Sequence, residues 1–140
     1  MNLKIRQIFL EHANRVFTTP AQDPIVKEVT MIDWARVREL RDEIGEEEFR
    51  EVVTLFLDEM ELSLSRLEPN PTAQRAESDL HFLKGSSLNL GFSDLASLCQ
   101  RGEQAAAAGA PSTVTPEEVR RLYSASKAEF MAQMPTQLGV

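Results

Sequence analysis

Cysteine is almost missing: Cys99 stands alone among 140 residues. That excludes an intrachain disulfide and any zinc cluster built on thiolates. Glycine and proline are scarce, at six and seven, and most prolines gather near residues 20–24, 69–71 and 111–116, where they read as punctuation between regular segments. Basic charge is also short, 15 Lys and Arg against 22 Asp and Glu for a net charge of −7. The chain therefore lacks the basic stripe of a nucleic-acid binder, and its acidity reads as solubility. No apolar run approaches the ~20 residues that span a bilayer, and the N-terminus lacks the apolar core of a secretory signal. These absences lead us to expect a cytoplasmic protein with no nucleic-acid and no membrane partner. Strand alternation is missing as well, and no Asn-Gly or Asp-Gly hairpin signal occurs.

Helical spacing fills the sequence instead. Asp33 can cap a short helix carrying Trp34, Val37, Leu40 and Ile44, with Gly45 at a left-handed stop. The run EEEFREVVTLFLDEMELSLSRLE follows, its acidic first turn matched to the helix dipole. Phe49, Val52, Val53, Phe56, Met60, Leu64 and Leu67 form its apolar stripe, and Pro69 and Pro71 end it. A third helix is expected from Thr72 to about Leu90, burying Ala73, Ala76, Leu80, Leu83, Ser87 and Leu90, until Gly91 breaks it. Ser93 is expected to cap a fourth, with Leu95, Leu98, Cys99, Gly102 and Ala106 inside and GAP at 109–111 as its stop. TPEE at 115–118 sets a cap, a first-turn proline and two acids before a fifth helix, which buries Val119, Leu122, Tyr123, Ser126, Phe130 and Met134. Four long helices with one stripe each predict an all-α fold, an antiparallel four-helix bundle with the short Trp34 helix covering one end.

Domain organisation follows from the same pattern. Residues 31–140 hold every bundle stripe and suit one domain. Residues 1–30 form an N-terminal extension in which Leu3, Ile5, Ile8, Phe9, Val16 and Phe17 could build a small amphipathic helix before the loop TTPAQDP. A docked helix, a frayed tail and a segment preceding a domain that starts at Met31 are all compatible with it. His12 lies there and reads as a surface residue.

The segment HFLKGSSLNLG, residues 81–91, carries the chemistry. With His81 as the origin of a helical wheel, Lys84 falls about 60° to one side, Gly85 about 40° to the other and Leu88 about 20° away. Glu77 and Ser78 flank the ring one turn earlier. The buried stripe is centred roughly 130° from the ring, so His81 projects from the solvent flank. A neutral imidazole is a nucleophile near neutral pH, Lys84 could accept the charge of a phosphoryl group, and Gly85 would leave a notch for a partner's loop. Leu88 and Phe82 would be apolar contacts around it. Glycine in mid-helix costs on the order of 1 kcal/mol against alanine, so an offsetting use is expected. Ser87 points toward the core, where its hydroxyl can bond back to the Leu83 carbonyl, and Cys99 reads as a small buried hydrophobe.

HFLKGSSLNLG resembles the signature of histidine-containing phosphotransfer (HPt) domains, which shuttle phosphoryl groups in two-component phosphorelays. His81, Lys84, Gly85, Ser86 or Ser87, and Gly91 fall on that pattern, and the resemblance extends over roughly residues 32–134. It implies a four-helix bundle with the phosphorylated histidine exposed in mid-helix. It makes His81 the phosphoryl acceptor, Lys84 its charge partner and Gly85 the access position, with Leu88, Phe82, Ser86, Glu77, Ser78 and Glu103 around the docking patch. The implied partners are response-regulator receiver domains and a hybrid histidine kinase. The protein would be a monomeric, stoichiometric phosphocarrier rather than an enzyme, with no cofactor of its own and Mg²⁺ carried by the receiver. Glu103 departs from many family members, in which a glutamine can hydrogen-bond near the histidine. A carboxylate there could orient the imidazole but would oppose an arriving phosphate.

Rival functions fare worse. A di-metal bundle site needs Glu-x-x-His pairs from facing helices, whereas Glu77 and His81 are four apart and no second pair exists. Hydrolase chemistry needs a base with an orienting acid and an oxyanion pocket, which nothing in the sequence supplies. A bundle that docks response regulators without carrying phosphate is the remaining alternative, and the presence of both His81 and Lys84 disfavours it.

Overall fold

A computed structural model describes residues 31–110 and 114–139; the expectations for residues 1–30 and for Pro111 lie outside the described residues. Five helices make up the fold: α1 (Trp34–Ile44), α2 (Glu46–Ser65), α3 (Ala73–Asn89), α4 (Ser93–Ala107) and α5 (Pro116–Leu138). Among the described residues the one extended pairing is an isolated bridge between Ile32 and Phe92. The fold is the all-α bundle the periodicity predicts. Helices α2, α3, α4 and α5 each pack against the next, and α5 returns to α2, while α1 lies against α2 and α3. The connection at 90–92 is too short for anything but an antiparallel α3–α4 pair.

The helix ends follow local chemistry. Asp33 caps α1, its carboxylate accepting from the Arg36 amide at 3.2 Å. Thr72 caps α3 in the same way through Arg75. At α5, Thr115 and Glu118 form a reciprocal capping box ahead of Pro116, so two orphan amides are satisfied at once. Two ends differ from expectation. Gly45 does take a positive φ of 100°, but its ψ of 145° is extended, and this single residue turns the chain directly from α1 into α2. Ser93 does not cap α4: it is already in the first turn, and Phe92 holds the cap position with no side-chain bond. The Phe92 side chain is fully buried and its backbone is paired with Ile32, which sets where α4 starts. Helix α5 also runs a turn past Met134, through Pro135, to a left-handed Gly139.

The core is aromatic at its centre. Phe92 meets Phe130 edge-on at 5.5 Å and Tyr123 at 6.3 Å, and Trp34 of α1 stacks on Phe130 at 5.4 Å. Phe49, Phe56, Met60, Leu83, Leu90 and Leu95 complete it, each essentially without exposed surface. Fully burying a side chain of this size contributes about 1.5–3 kcal/mol, so the stripes rather than the caps hold the bundle. Ala73 is exposed and Ala76 only half-buried, against expectation. The first turns of α3 line an open cavity of about 390 Å³, with Gly102 and Val119 on its other walls, instead of packing tightly. Leu67 and Leu122 are likewise half-buried at the margin of the core.

Polar ties fix the helices to one another. Arg120 of α5 donates to the carbonyls of Leu64 and Leu67, closing the C-terminal end of α2. Tyr123 and Lys127 both donate to Glu61 of α2, at 2.5 and 2.6 Å. Those two bonds, led by Lys127, hold the Glu61 carboxyl below its ordinary value. Burial, then Glu61, pushes the Tyr123 phenol well above its own.

Candidate functional site

The α3–α4 hairpin builds the site. Gly91 turns the chain with φ +74°, and a Cβ on it would lie 2.6 Å from the Asp33 carbonyl oxygen. Only glycine fits so close to another backbone in the left-handed region. Eleven residues earlier on α3 and eleven later on α4, Leu80 and Gly102 face each other. A Cβ at Gly102 would approach Leu80 Cδ1 to 2.6 Å, so the missing side chain lets the two helices come together at this level. The next residue on each helix is then His81 and Glu103.

His81 sits in mid-helix with its side chain 46 % exposed, and Glu103 is 14 % exposed beside it. The Nδ1 atom of His81 lies 2.5 Å from Glu103 Oε2. Lys84 Nζ lies 2.7 Å from the other oxygen, Oε1. One carboxylate thus bridges the imidazole and the ammonium. Burial alone would raise the Glu103 carboxyl, but Lys84 first and His81 second outweigh it and hold its pKa below the usual value. An ionised carboxylate only accepts hydrogen bonds, so Nδ1 is the donor in this pair. Cys99, on α4 one turn before Glu103, is fully buried; burial first and the Glu103 charge second push its thiol up to about 12. It is a neutral packing residue, as its place in the pattern suggests.

The comparison with known families decides the assignment. A family model described as Hpt domain matches residues 51–137. The chain belongs to the Hpt domain family. Members of that family are phosphocarriers of two-component signalling that interact with receiver domains and histidine kinases. Neither the curated proteins nor the solved structures gave a match. The Hpt match takes in most of α2 and all of α3 and α4, and with them the bridged trio of His81, Lys84 and Glu103.

Around the Hpt trio, the remaining sequence-derived residues divide. Leu88 is exposed at 40 %, and Glu77 and Ser78 are exposed one turn before the histidine. Phe82 is half-buried and packs against the core. Gly85 and Ser86 are both buried, deeper than the wheel places them. Helix α3 is packed on both flanks. Leu80 and Lys84 face α4 on one side, and on the other Asn89 is fully buried, accepting from Arg36 of α1 at 3.1 Å and donating to the Gly85 carbonyl at 3.1 Å. Ser87 bonds to the Leu83 carbonyl at 2.7 Å, as expected of a core serine. The Arg36–Asn89 tie had no sequence signal, since the two residues are 53 positions apart.

Among the described residues no group of three or more His, Cys, Asp or Glu could hold a metal ion. No described helix is long and apolar enough to cross a membrane.

Proposed function

We propose that this protein is a histidine phosphotransfer protein in a multistep phosphorelay, accepting a phosphoryl group on His81 from a receiver-domain aspartate and passing it to a second receiver. The observation that carries the proposal is the half-exposed His81 ring, tied at Nδ1 to Glu103 beside Lys84. The Nε2 lone pair attacks phosphorus in line, the bond from phosphorus to the aspartyl oxygen breaks, and its electron pair leaves on the aspartate. The return step runs the same way in reverse toward another receiver. Reactions of this type proceed mainly through positioning and charge neutralisation. Lys84 supplies one positive charge at the site, and the receiver supplies Mg²⁺ and most of the remainder. Receiver domains and a hybrid kinase are the partners in this reading, and the protein itself is a stoichiometric carrier.

The test is chemical. Incubation of the full chain with candidate phosphorylated receivers should label it, and the label should be lost in acid and kept in alkali, as a phosphoramidate bond requires. An acid-stable label would place the phosphate on a hydroxyl and end the histidine route.

A further inference from the structure

We propose that residues 1–17 of this chain dock on the outer face of α3 beside His81, over Leu88 and Phe82, and compete there with the receiver domain. The proposal rests on His81 being the phosphoryl acceptor and adds a regulation of that same site.

The place follows from where the described chain begins. The Met31 carbonyl accepts from the Ser93 amide at 3.0 Å, and the Asp33 amide donates to the Gly91 carbonyl at 2.6 Å. Ile32, between them, pairs with Phe92. Residue 31 is thereby pinned at the α3–α4 turn, next to the C-terminal end of the helix that carries the site. Leu88 stands three residues before Gly91 and His81 ten before it, about 15 Å along the helix at about 1.5 Å per residue. Residues 18–30 span up to about 45 Å when extended, so the first seventeen can reach any part of that face.

The surface and the segment match in apolar character and in charge. Leu88 is one of three exposed large apolar side chains among the described residues, with Leu62 and Met131. Phe82 is half-buried on the outer half of α3, and Gly85, one turn from each, adds no side chain between them. On a helical wheel Ile5, Ile8, Phe9 and Val16 share about 100° of arc, bordered by Lys4 and Arg15. Residues 1–17 hold Lys4, Arg6 and Arg15 against Glu11, a formal +2 within a chain total of −7, which leaves −9 on the rest. Acidic partners stand at the right end of the bundle. Helix α2 packs on α3 and runs opposite to it, and its first two turns carry Glu46, Glu47, Glu48 and Glu51. Glu77 is exposed a turn before His81.

Other pairings fit less well. Met131 borders a groove lined by Arg120 and Lys127, which would repel the cations of the segment. Leu62 lies near the far end of α2. A second copy of the chain would bring a net charge of −7 against the same charge. A receiver that docks over His81 must therefore displace residues 1–17, and the uncovered fraction of the face sets its apparent affinity. A small phosphoryl donor needs only the half-exposed ring.

The experiment uses the full ¹⁵N-labelled chain with a nitroxide attached through Gln7→Cys. Cys99 stays unlabelled, being fully buried with its thiol pushed up to about 12. Amides from His81 to Leu88 should broaden, those around Leu62 and Met131 should not, and adding Ile5→Ser with Phe9→Ser should abolish the effect. Spin-labelled chain without ¹⁵N, mixed with ¹⁵N chain without the nitroxide, should give no broadening. Broadening at Leu62 or Met131 instead, broadening nowhere, or broadening in the mixture overturns the proposal. Without the nitroxide, the Ile5→Ser, Phe9→Ser chain should accept phosphate from a subsaturating phosphorylated receiver about tenfold faster than wild type, as when a form covered about 90 % of the time is released. Its labelling by phosphoramidate should stay unchanged. An unchanged receiver rate, or an equal gain with both donors, overturns the competition. If neither donor labels His81, the proposed function fails instead, and the broadening still decides whether the segment docks.

Discussion

Replacing Gly91 with alanine would test the geometry that brings α3 and α4 together. Gly91 has φ +74°, and its new Cβ would meet the Asp33 carbonyl oxygen at 2.6 Å and Val37 Cγ2 at 3.0 Å. The left-handed backbone costs a non-glycine residue about 1–2 kcal/mol. The close contact is with backbone, so it cannot be relieved by a rotamer change. Relief must displace the Asp33 segment and weaken the 2.6 Å bond from the Asp33 amide to the Gly91 carbonyl, a net loss of about 1 kcal/mol. Reduced freedom of the unfolded chain returns about 0.4–1 kcal/mol. The balance is a loss of about 2 kcal/mol, more if α1 loosens. In urea, with a slope of about 2 kcal/mol per molar, the unfolding midpoint should drop by roughly 1 M. Gly91→Asn separates the two costs, since asparagine tolerates the left-handed region better but carries the same Cβ. Equal losses would assign the damage to the contact, a smaller loss for asparagine to the φ angle. An unchanged or raised midpoint for Gly91→Ala would refute the reasoning.

Lys84→Ala should slow transfer from a saturating phosphorylated receiver by about tenfold or more, because a charge aimed at the phosphoryl group counts most in the transition state; a change confined to receiver affinity would make Lys84 a docking residue. Glu103 gives a pH signature in stability. Its folded carboxyl is held below the ordinary 4.5, so its contribution is complete above that value and is lost as pH falls through the folded one. The urea midpoint of Glu103→Gln should therefore fall less steeply than wild type from about pH 5 to about pH 3, and parallel slopes would contradict the sign. Gly85→Gln should lower the melting temperature, since Gly85 is buried and overpacking costs about 1–3 kcal/mol; a melting temperature at or above wild type would favour an open notch there.

The parts of the fold legible in the sequence are those one helix determines for itself. The α2 stripe from Phe49 to Leu64, the Thr115 capping box and the Asp33 cap depend on spacing and local hydrogen bonding, and each stands as the pattern predicts. The wheel also placed His81 correctly on an outer flank. It failed one turn later, at Gly85 and Ser86, because a wheel knows only the angle to its own stripe. Helix α3 has more than one packed flank, and the Asn89–Arg36 bond on one of them joins residues 53 apart. Glu103 shows the same boundary. Its residue type was visible, but its bridging of His81 and Lys84 depends on the close approach of Leu80 and Gly102, which no spacing rule reveals. Ser93 failed for a neighbouring reason: the burial and pairing of Phe92 outweighed a local capping preference.

The central claim, that His81 carries the phosphoryl group, is tested most directly by ³²P transfer from a phosphorylated receiver domain to wild-type and His81→Ala proteins, with circular dichroism on both. The wild type should take up an acid-labile label. His81→Ala should take up none while keeping its helix content and melting temperature, since the ring is half-exposed and contributes little packing. Undiminished labelling of a folded His81→Ala protein would contradict the account.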